Sequence, residues 1–153
     1  MKNKAIQKII EEFLPQLGIA YEKVEFLEGD LGVVFNIFSE ESKLLIGTGG
    51  ANLLALNHII KRMVEREEGE AHPPFMVDVN GYQSQHNKEL GERARVLAER
   101  VKTFSSEVEM EPMSPYERMV VHSALAGDSG VETESAGRGR DRHVVIRPKI
   151  ENI

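Results

Sequence analysis

A chain of 153 residues with 41% hydrophobic content fits one mid-sized domain or two small ones, and is too apolar to be a disordered segment. The absence of cysteine excludes a disulfide framework and a thiolate zinc site; no apolar run nears the ~20 residues that span a bilayer, and a cytoplasmic protein is expected. The net charge of −6 argues against indiscriminate attraction to polyanions, so any such contact must come from a local basic patch.

Ile6, Ile9, Ile10, Phe13, Leu14 and Leu17 recur at helical spacing, with Gly18 as a stop and Pro15 placed to kink the last turn or end the helix early. Residues 19–28 and 31–38 read as strands, with Val24 and Phe26 alternating on the first and Val33, Phe35 and Ile37 on the second. Gly29-Asp30 between them predicts a hairpin. Ser39 is placed to cap a short helix over residues 40–46, with Glu40 and Glu41 in its first turn. Gly47-Thr48-Gly49-Gly50 interrupts it, and a second helix follows over about residues 52–66, its apolar face being Leu53, Leu56, Ile60 and Met63 or Val64. A charged loop (65–74) leads to a strand at 75–79.

A long helix is predicted over about residues 81–103, with Leu90, Ala94, Leu97, Val101 and Phe104 as its buried stripe. A short strand follows at 108–110. Ser114-Pro115-Tyr116-Glu117 is a strong helix start: Ser114 caps, Pro115 suits the first helical position and Glu117 reaches back. That helix runs to about Ala126. Strands at 131–135 and 143–150, joined by residues 136–142, complete an α+β chain. Two domains are expected, 1–80 and 81–150.

The glycine run carries the chemistry of the first half. Glycines at both ends of a four-residue loop let the chain turn without Cβ atoms, so phosphates can approach main-chain N–H groups where the next helix begins and its dipole favours anions. A Walker loop would need Gly-Lys-Ser/Thr, and here Ala51-Asn52 follows Gly50. A Rossmann fingerprint would need a third glycine where Asn52 stands. The plain alternative is a glycine turn between two core helices. Lys43, Lys61 and Arg62 flank the loop and are candidates to line its groove, although Glu65 lies near the last two.

The segments "LLIGTGGANLLALNHIIKRMV", "VDVNGYQ", "EMEPMSPYERMVVHSAL" and "GVETESAGRGRDRHVVIRP" resemble, in order over residues 20–150, the bacterial Jag (SpoIIIJ-associated, KhpB/EloR-type) family. The resemblance implies a type II KH-like domain (αββααβ) followed by a small R-3-H (Arg-x-x-x-His) domain with a three-stranded sheet. It also implies binding of single-stranded RNA, roles around cell elongation, division or sporulation, and partnership with a small single-KH protein. Many members carry a separate N-terminal Jag domain that residues 1–153 do not match, so functions housed there are not expected. The middle loop positions, often basic in the family, are Thr48 and Gly49 here, which removes charge near the phosphates.

Arg118 and His122 are four apart and project from one helix face. An arginine can fork to a phosphate, and a histidine can donate to phosphate or stack on a base. The family's signature arginine and histidine fall on these two residues. The alternative is structural: His122 on a buried carbonyl, Arg118 on a carboxylate. Arg138, Arg140 and Arg142 sit between glycines in a predicted mobile cationic finger; Arg147 and Lys149 extend the basic run, opposed only by Asp141. Arg93, Arg95, Arg100 and Lys102 alternate with acids, and Glu89 precedes Arg93 by four, the stabilising order for a solvated helix pair. With no Trp and 6% aromatics there is little material for a base-stacking platform.

His58, His72, His86, His122 and His143 show no ligand spacing with carboxylates, so no metal, no cofactor and no catalytic residue is assigned. A phosphodiesterase built on Arg118 and His122 would need a second acid/base or a metal. A protein-interaction module with weakened RNA binding is the other competing reading, favoured by the acidic balance.

Overall fold

The first helix shows how the chain accommodates its proline. In the computed structural model, which describes residues 2–29 and 31–150, α1 runs Lys2–Gln16 and passes through Pro15. Pro15 has no N–H to give to the carbonyl of Glu11; the Tyr21 hydroxyl donates to that carbonyl instead, at 3.2 Å. The helix stops one residue after the proline. Leu17, expected on the buried face, therefore leaves the helical period and is 49% exposed.

Strands β1 (Lys23–Gly29) and β2 (Gly32–Phe38) pair antiparallel, and β3 (Phe75–Val79) adds parallel to β2, giving the order β1-β2-β3. Asp30 of the expected hairpin turn lies outside the described residues. The first strand begins at Lys23 and not at residue 19, because the backbone of Ala20 is engaged elsewhere. Its N–H donates to the Glu41 carboxylate at 2.7 Å, and its carbonyl accepts from the Ser39 hydroxyl at 2.6 Å. Ser39 accordingly caps no helix. It is buried, and its oxygen accepts from the Glu41 amide at 3.0 Å to hold a turn, so that α2 starts later, at Ser42–Ile46. Helix α3 (Ala51–Glu68) starts directly after Gly50 and extends past the predicted end, which shortens the loop before β3.

The sheet's inner face buries Val24, Val33, Phe35, Ile37, Val77 and Val79 against Ile6, Ile10 and Leu14 of α1 and Leu53, Leu56, Ile60 and Val64 of α3. Side-chain amides close both sheet edges. Gln7 donates to the Val24 carbonyl at 2.6 Å; Asn57 donates to the Val77 carbonyl at 2.9 Å and accepts from the Val77 amide at 2.7 Å. Asn57 thus replaces a neighbouring strand, which blunts an edge open to wrong pairing.

Residues 78–84 explain the V-D-V-N-G-Y-Q block. Asp78 is fully buried. One carboxylate oxygen accepts from the amides of Val79 (2.8 Å) and Gln83 (2.7 Å), the other from the amide (3.0 Å) and hydroxyl (2.9 Å) of Ser84. It caps α4 (Tyr82–Phe104), where an anion suits the helix dipole. Asn80 exchanges two hydrogen bonds with the Ser39 backbone, at 3.1 and 2.8 Å.

Contacts divide the chain into two compact units whose boundary falls between Ser84 and Gln85, inside α4. In the second unit, Leu90, Ala94, Ala98 and Val101 of α4 pack with Val120, Val121 and Leu125 of α5 (Pro115–Leu125) and with Val131, Val144 and Ile146 of a sheet. That sheet is antiparallel with order β4-β6-β5, from β4 (Val108–Glu109), β5 (Val131–Ala136) and β6 (His143–Pro148). Phe104, predicted in the stripe, is 73% exposed because it ends the helix just before Ser105 turns with a φ of 51°. The predicted capping box is formed: Ser114 Oγ accepts from the Glu117 amide at 3.2 Å and the Glu117 carboxylate accepts from the Ser114 amide at 3.3 Å. Arg93 pairs with Glu111 and not with Glu89, whose carboxylate accepts from Gln85 at 3.0 Å.

Candidate nucleic-acid interface

Between α2 and α3 the chain makes one 3-10 turn at Thr48–Gly50. Gly47, Gly49 and Gly50 take φ of 73°, 63° and 83°, a region that side-chain-bearing residues rarely adopt. The turn is braced by internal hydrogen bonds. The Gly47 amide donates to Lys43 O at 2.9 Å and the Gly50 amide to Gly47 O at 3.2 Å. Asn52 Nδ2 donates to Leu44 O at 2.7 Å, and the Asn52 side chain fills the space a Gly47 Cβ would need, 2.6 Å away. Two of the four loop amides are thus engaged internally. Those of Thr48 and Gly49 open the helical turn, where no earlier carbonyl of the turn can receive them, and both residues are exposed.

The structure brings Lys43, exposed on α2, to this turn. Lys61 and Arg62 lie farther off: Lys61 is eleven residues beyond Gly50, roughly 16 Å along a helix. Arg62 also holds Glu65 at 3.6 Å, so neither is adjacent to the turn. Sequence reasoning misses two residues here. Asn52 reads there only as a departure from a dinucleotide fingerprint. Tyr82 lies far along the chain, yet its ring edge would be 3.4 Å from a Cβ on Gly50. A glycine-rich turn and a distant Asn-Gly-Tyr helix start are the only signals for that contact.

In the second unit Arg118 Nη1 donates to Met113 O at 3.0 Å, and the Met113 amide donates to Arg142 O at 3.1 Å. Residues 137–142 are folded and not a free finger. The Asp141 amide donates to Arg138 O at 3.1 Å, the Arg142 amide to Gly139 O at 3.3 Å, and Arg142 Nη1 to Gly137 O at 2.8 Å. Gly137 has φ of 84° and the Asp141 carbonyl oxygen 2.8 Å from where a Cβ would stand, so only glycine fits. Among the described residues, Arg118, Arg138, Arg140 and Arg142 make no ion pair within 4 Å. Arg147, expected to extend this run, is drawn away by Glu107 at 2.9 Å and by Glu134. Lys102 is likewise held by Glu99 at 2.7 Å and Asp128 at 2.9 Å.

His122 lies half-buried between α5 and β5. Nδ1 is 2.7 Å from Thr133 Oγ1 and Nε2 is 3.1 Å from Ser135 Oγ. Thr133 and Ser135 are two apart on an edge strand and share a face, which is why one ring reaches both. Burial first, and the Arg118 charge second, hold His122 below its ordinary pKa. Both ring nitrogens are thus tied to hydroxyls of β5, and Arg118 lies one turn earlier on the same helix. His143 behaves oppositely: its hydrogen bond to Asp141 O at 2.8 Å, then Glu109, raises its pKa.

Residues 88–148 match the model of the R-3-H domain, a span that includes Arg118 and His122. The chain is 30% identical over 153 residues to an RNA-binding protein KhpB of Clostridium symbiosum, covering 99% of this chain and 68% of that protein. It is 32% identical over 162 residues to an RNA-binding protein KhpB of Bacillus subtilis (strain 168), covering 97% of this chain and 77% of that protein.

Proposed function

The chain belongs to the KhpB family, and from that membership we propose that it binds single-stranded RNA without catalysis, through the glycine turn of the first unit and the arginine cluster of the second. The observation that carries the reading is the backbone of Met113. Its carbonyl accepts from Arg118 and its amide donates to Arg142 O, which ties the helix bearing Arg118 to a turn carrying Arg138, Arg140 and Arg142; among the described residues none of these arginines makes an ion pair within 4 Å. In a chain of net charge −6, such a patch is what a polyanion meets within the ~8 Å over which charge is felt at physiological salt.

The glycine turn supplies a second contact of a different kind. Thr48 and Gly49 offer amides and no charge, so this surface is read as a weak, charge-poor clasp for phosphate. Two linked clasps raise apparent affinity by effective concentration. Arg118 and the arginines at 138, 140 and 142 are proposed as phosphate ligands. His122 is proposed to act on Arg118's face and not by direct donation, because both its ring nitrogens are engaged. A regulatory role in cell elongation, division or sporulation is proposed with this RNA binding. Titration of labelled single-stranded RNA at several salt concentrations tests the reading: Arg118→Ala should weaken binding and lower the salt slope by about 0.7. Unchanged binding in both Arg118→Ala and Thr48→Asp would remove the assignment.

A second reading, docking of a small single-KH protein, is favoured by Leu54 and Ile59, which α3 leaves 72% and 44% exposed. Capture of that partner before and after nuclease treatment separates the two: a docking surface keeps its partner once RNA is gone.

A further inference from the structure

The glycine turn has an aromatic neighbour from outside its own helix–turn–helix. Tyr82 is the first residue of α4, fixed there by the buried Asp78 carboxylate that caps the helix and by the Asn80 side chain clipped to Ser39. Its ring edge (Cε1, Cζ and the hydroxyl) would stand 3.4–4.0 Å from a Cβ on Gly50. The ring nevertheless leaves the residue 38% exposed. Exposed apolar groups continue around the turn: Leu44, on the helix before it, is 59% exposed, and Leu54, in the first turn of the helix after it, is 72% exposed. A site for phosphate alone gains nothing from an exposed aromatic ring and two leucines. A strand with unpaired bases presents both an anionic backbone and flat apolar faces.

We propose that Tyr82 is the base-contacting residue of the glycine turn, stacking on a nucleobase whose adjoining phosphate lies at the Thr48 and Gly49 amides. The proposal rests on the reading of that turn as a phosphate clasp and adds to it a preference for unpaired bases over bare polyphosphate. Gly50 is then required twice. Its φ of 83° turns the chain, and its missing side chain leaves the ring against the backbone and out of the path of the strand.

The test compares Tyr82→Phe and Tyr82→Leu in the full chain, with random-sequence single-stranded oligoribonucleotides and with inorganic polyphosphate as probes. Phenylalanine keeps the stacking face; leucine keeps apolar packing on Gly50 and removes the π-face. A stacked base is worth roughly a 5- to 150-fold change in affinity. Tyr82→Leu should therefore weaken RNA binding at least about fivefold while leaving polyphosphate binding and the urea midpoint unchanged, and Tyr82→Phe should bind RNA as the wild type does. Thr48→Asp should weaken both probes. Equal RNA affinity for Tyr82→Leu and wild type, with Thr48→Asp still weakened, overturns the role of Tyr82 and leaves the clasp standing. A parallel loss for RNA and polyphosphate in Tyr82→Leu reduces Tyr82 to a support for the loop. Wild-type protein that retains neither probe removes the clasp itself, and the Tyr82 proposal with it.

Discussion

Arg118 and Arg142, distant in sequence, are joined through the backbone of one residue. Met113 accepts from the Arg118 guanidinium at 3.0 Å and donates to the Arg142 carbonyl at 3.1 Å. Among the described residues only one Arg118 nitrogen is engaged, so its remaining donors keep the fork geometry that suits a phosphate. Arg118→Lys keeps the charge and loses the fork. It should bind RNA more weakly than wild type and more tightly than Arg118→Ala, with the salt slope of the wild type, as read from titrations across a salt series.

Thr48 sits at the exposed opening of the glycine turn without the positive φ of its glycine neighbours, so a change of side chain there meets no left-handed backbone. Thr48→Asp should weaken RNA binding and Thr48→Lys strengthen it, each on the order of tenfold at low salt, since one charge close to a phosphate near the protein surface is worth about 1–3 kcal/mol. Gly50→Asp is a poorer probe, because φ of 83° and the Tyr82 ring would strain the fold whether or not RNA binds there. Fluorescence anisotropy of the two Thr48 variants gives the comparison.

Two histidines of the second unit, His122 and His143, set opposite pH dependences. His122 is held below the ordinary value of 6.5 by burial and then by Arg118. The unfolded chain therefore takes up a proton first as pH falls; the contribution of His122 is complete above 6.5 and is lost as pH drops through the folded value. His143 is raised by the Asp141 carbonyl and Glu109, so its contribution is present below 6.5 and lost as pH rises through its folded value. Urea midpoints across about pH 5–8 should show a shallower acid-side loss in His122→Gln, and a shallower alkaline-side loss in His143→Ala, than in wild type.

Asn57 stands in for a strand beside Val77. Asn57→Ala leaves the Val77 amide and carbonyl without that partner, at a cost of about 1–3 kcal/mol, and opens the β3 edge. A lower urea midpoint together with concentration-dependent association by light scattering is expected. Ser114→Ala, which removes one half of the α5 capping box, should cost about 1 kcal/mol with no association.

Much of this molecule was legible in the order of its residues. Alternation at Val33, Phe35 and Ile37 gave β2 its buried face, and Ser114-Pro115-Tyr116-Glu117 gave the start of α5, because both signals are local and each residue acts on near neighbours. What could not be read depends on contacts between distant segments. Ser39 has the look of a helix cap, but its hydroxyl goes to Ala20. Arg147 has the look of one more member of a basic run, but Glu107 and Glu134 surround it. The glycine pattern announces a turn, but its bracing by Asn52 and the ring of Tyr82 beside Gly50 depend on how the chain returns. Charge in particular is a property of the surface: the sequence places Arg138, Arg140, Arg142 and Arg147 together, and only the first three remain free of ion pairs among the described residues.

Ultraviolet crosslinking of single-stranded RNA to the full chain, followed by peptide mapping, tests most directly whether these two surfaces meet nucleic acid. Crosslinks are expected in the peptide around Gly47–Gly50 and in those bearing Arg118 and residues 137–142. Crosslinks confined to other segments, with these peptides unmodified at saturating RNA, would contradict it.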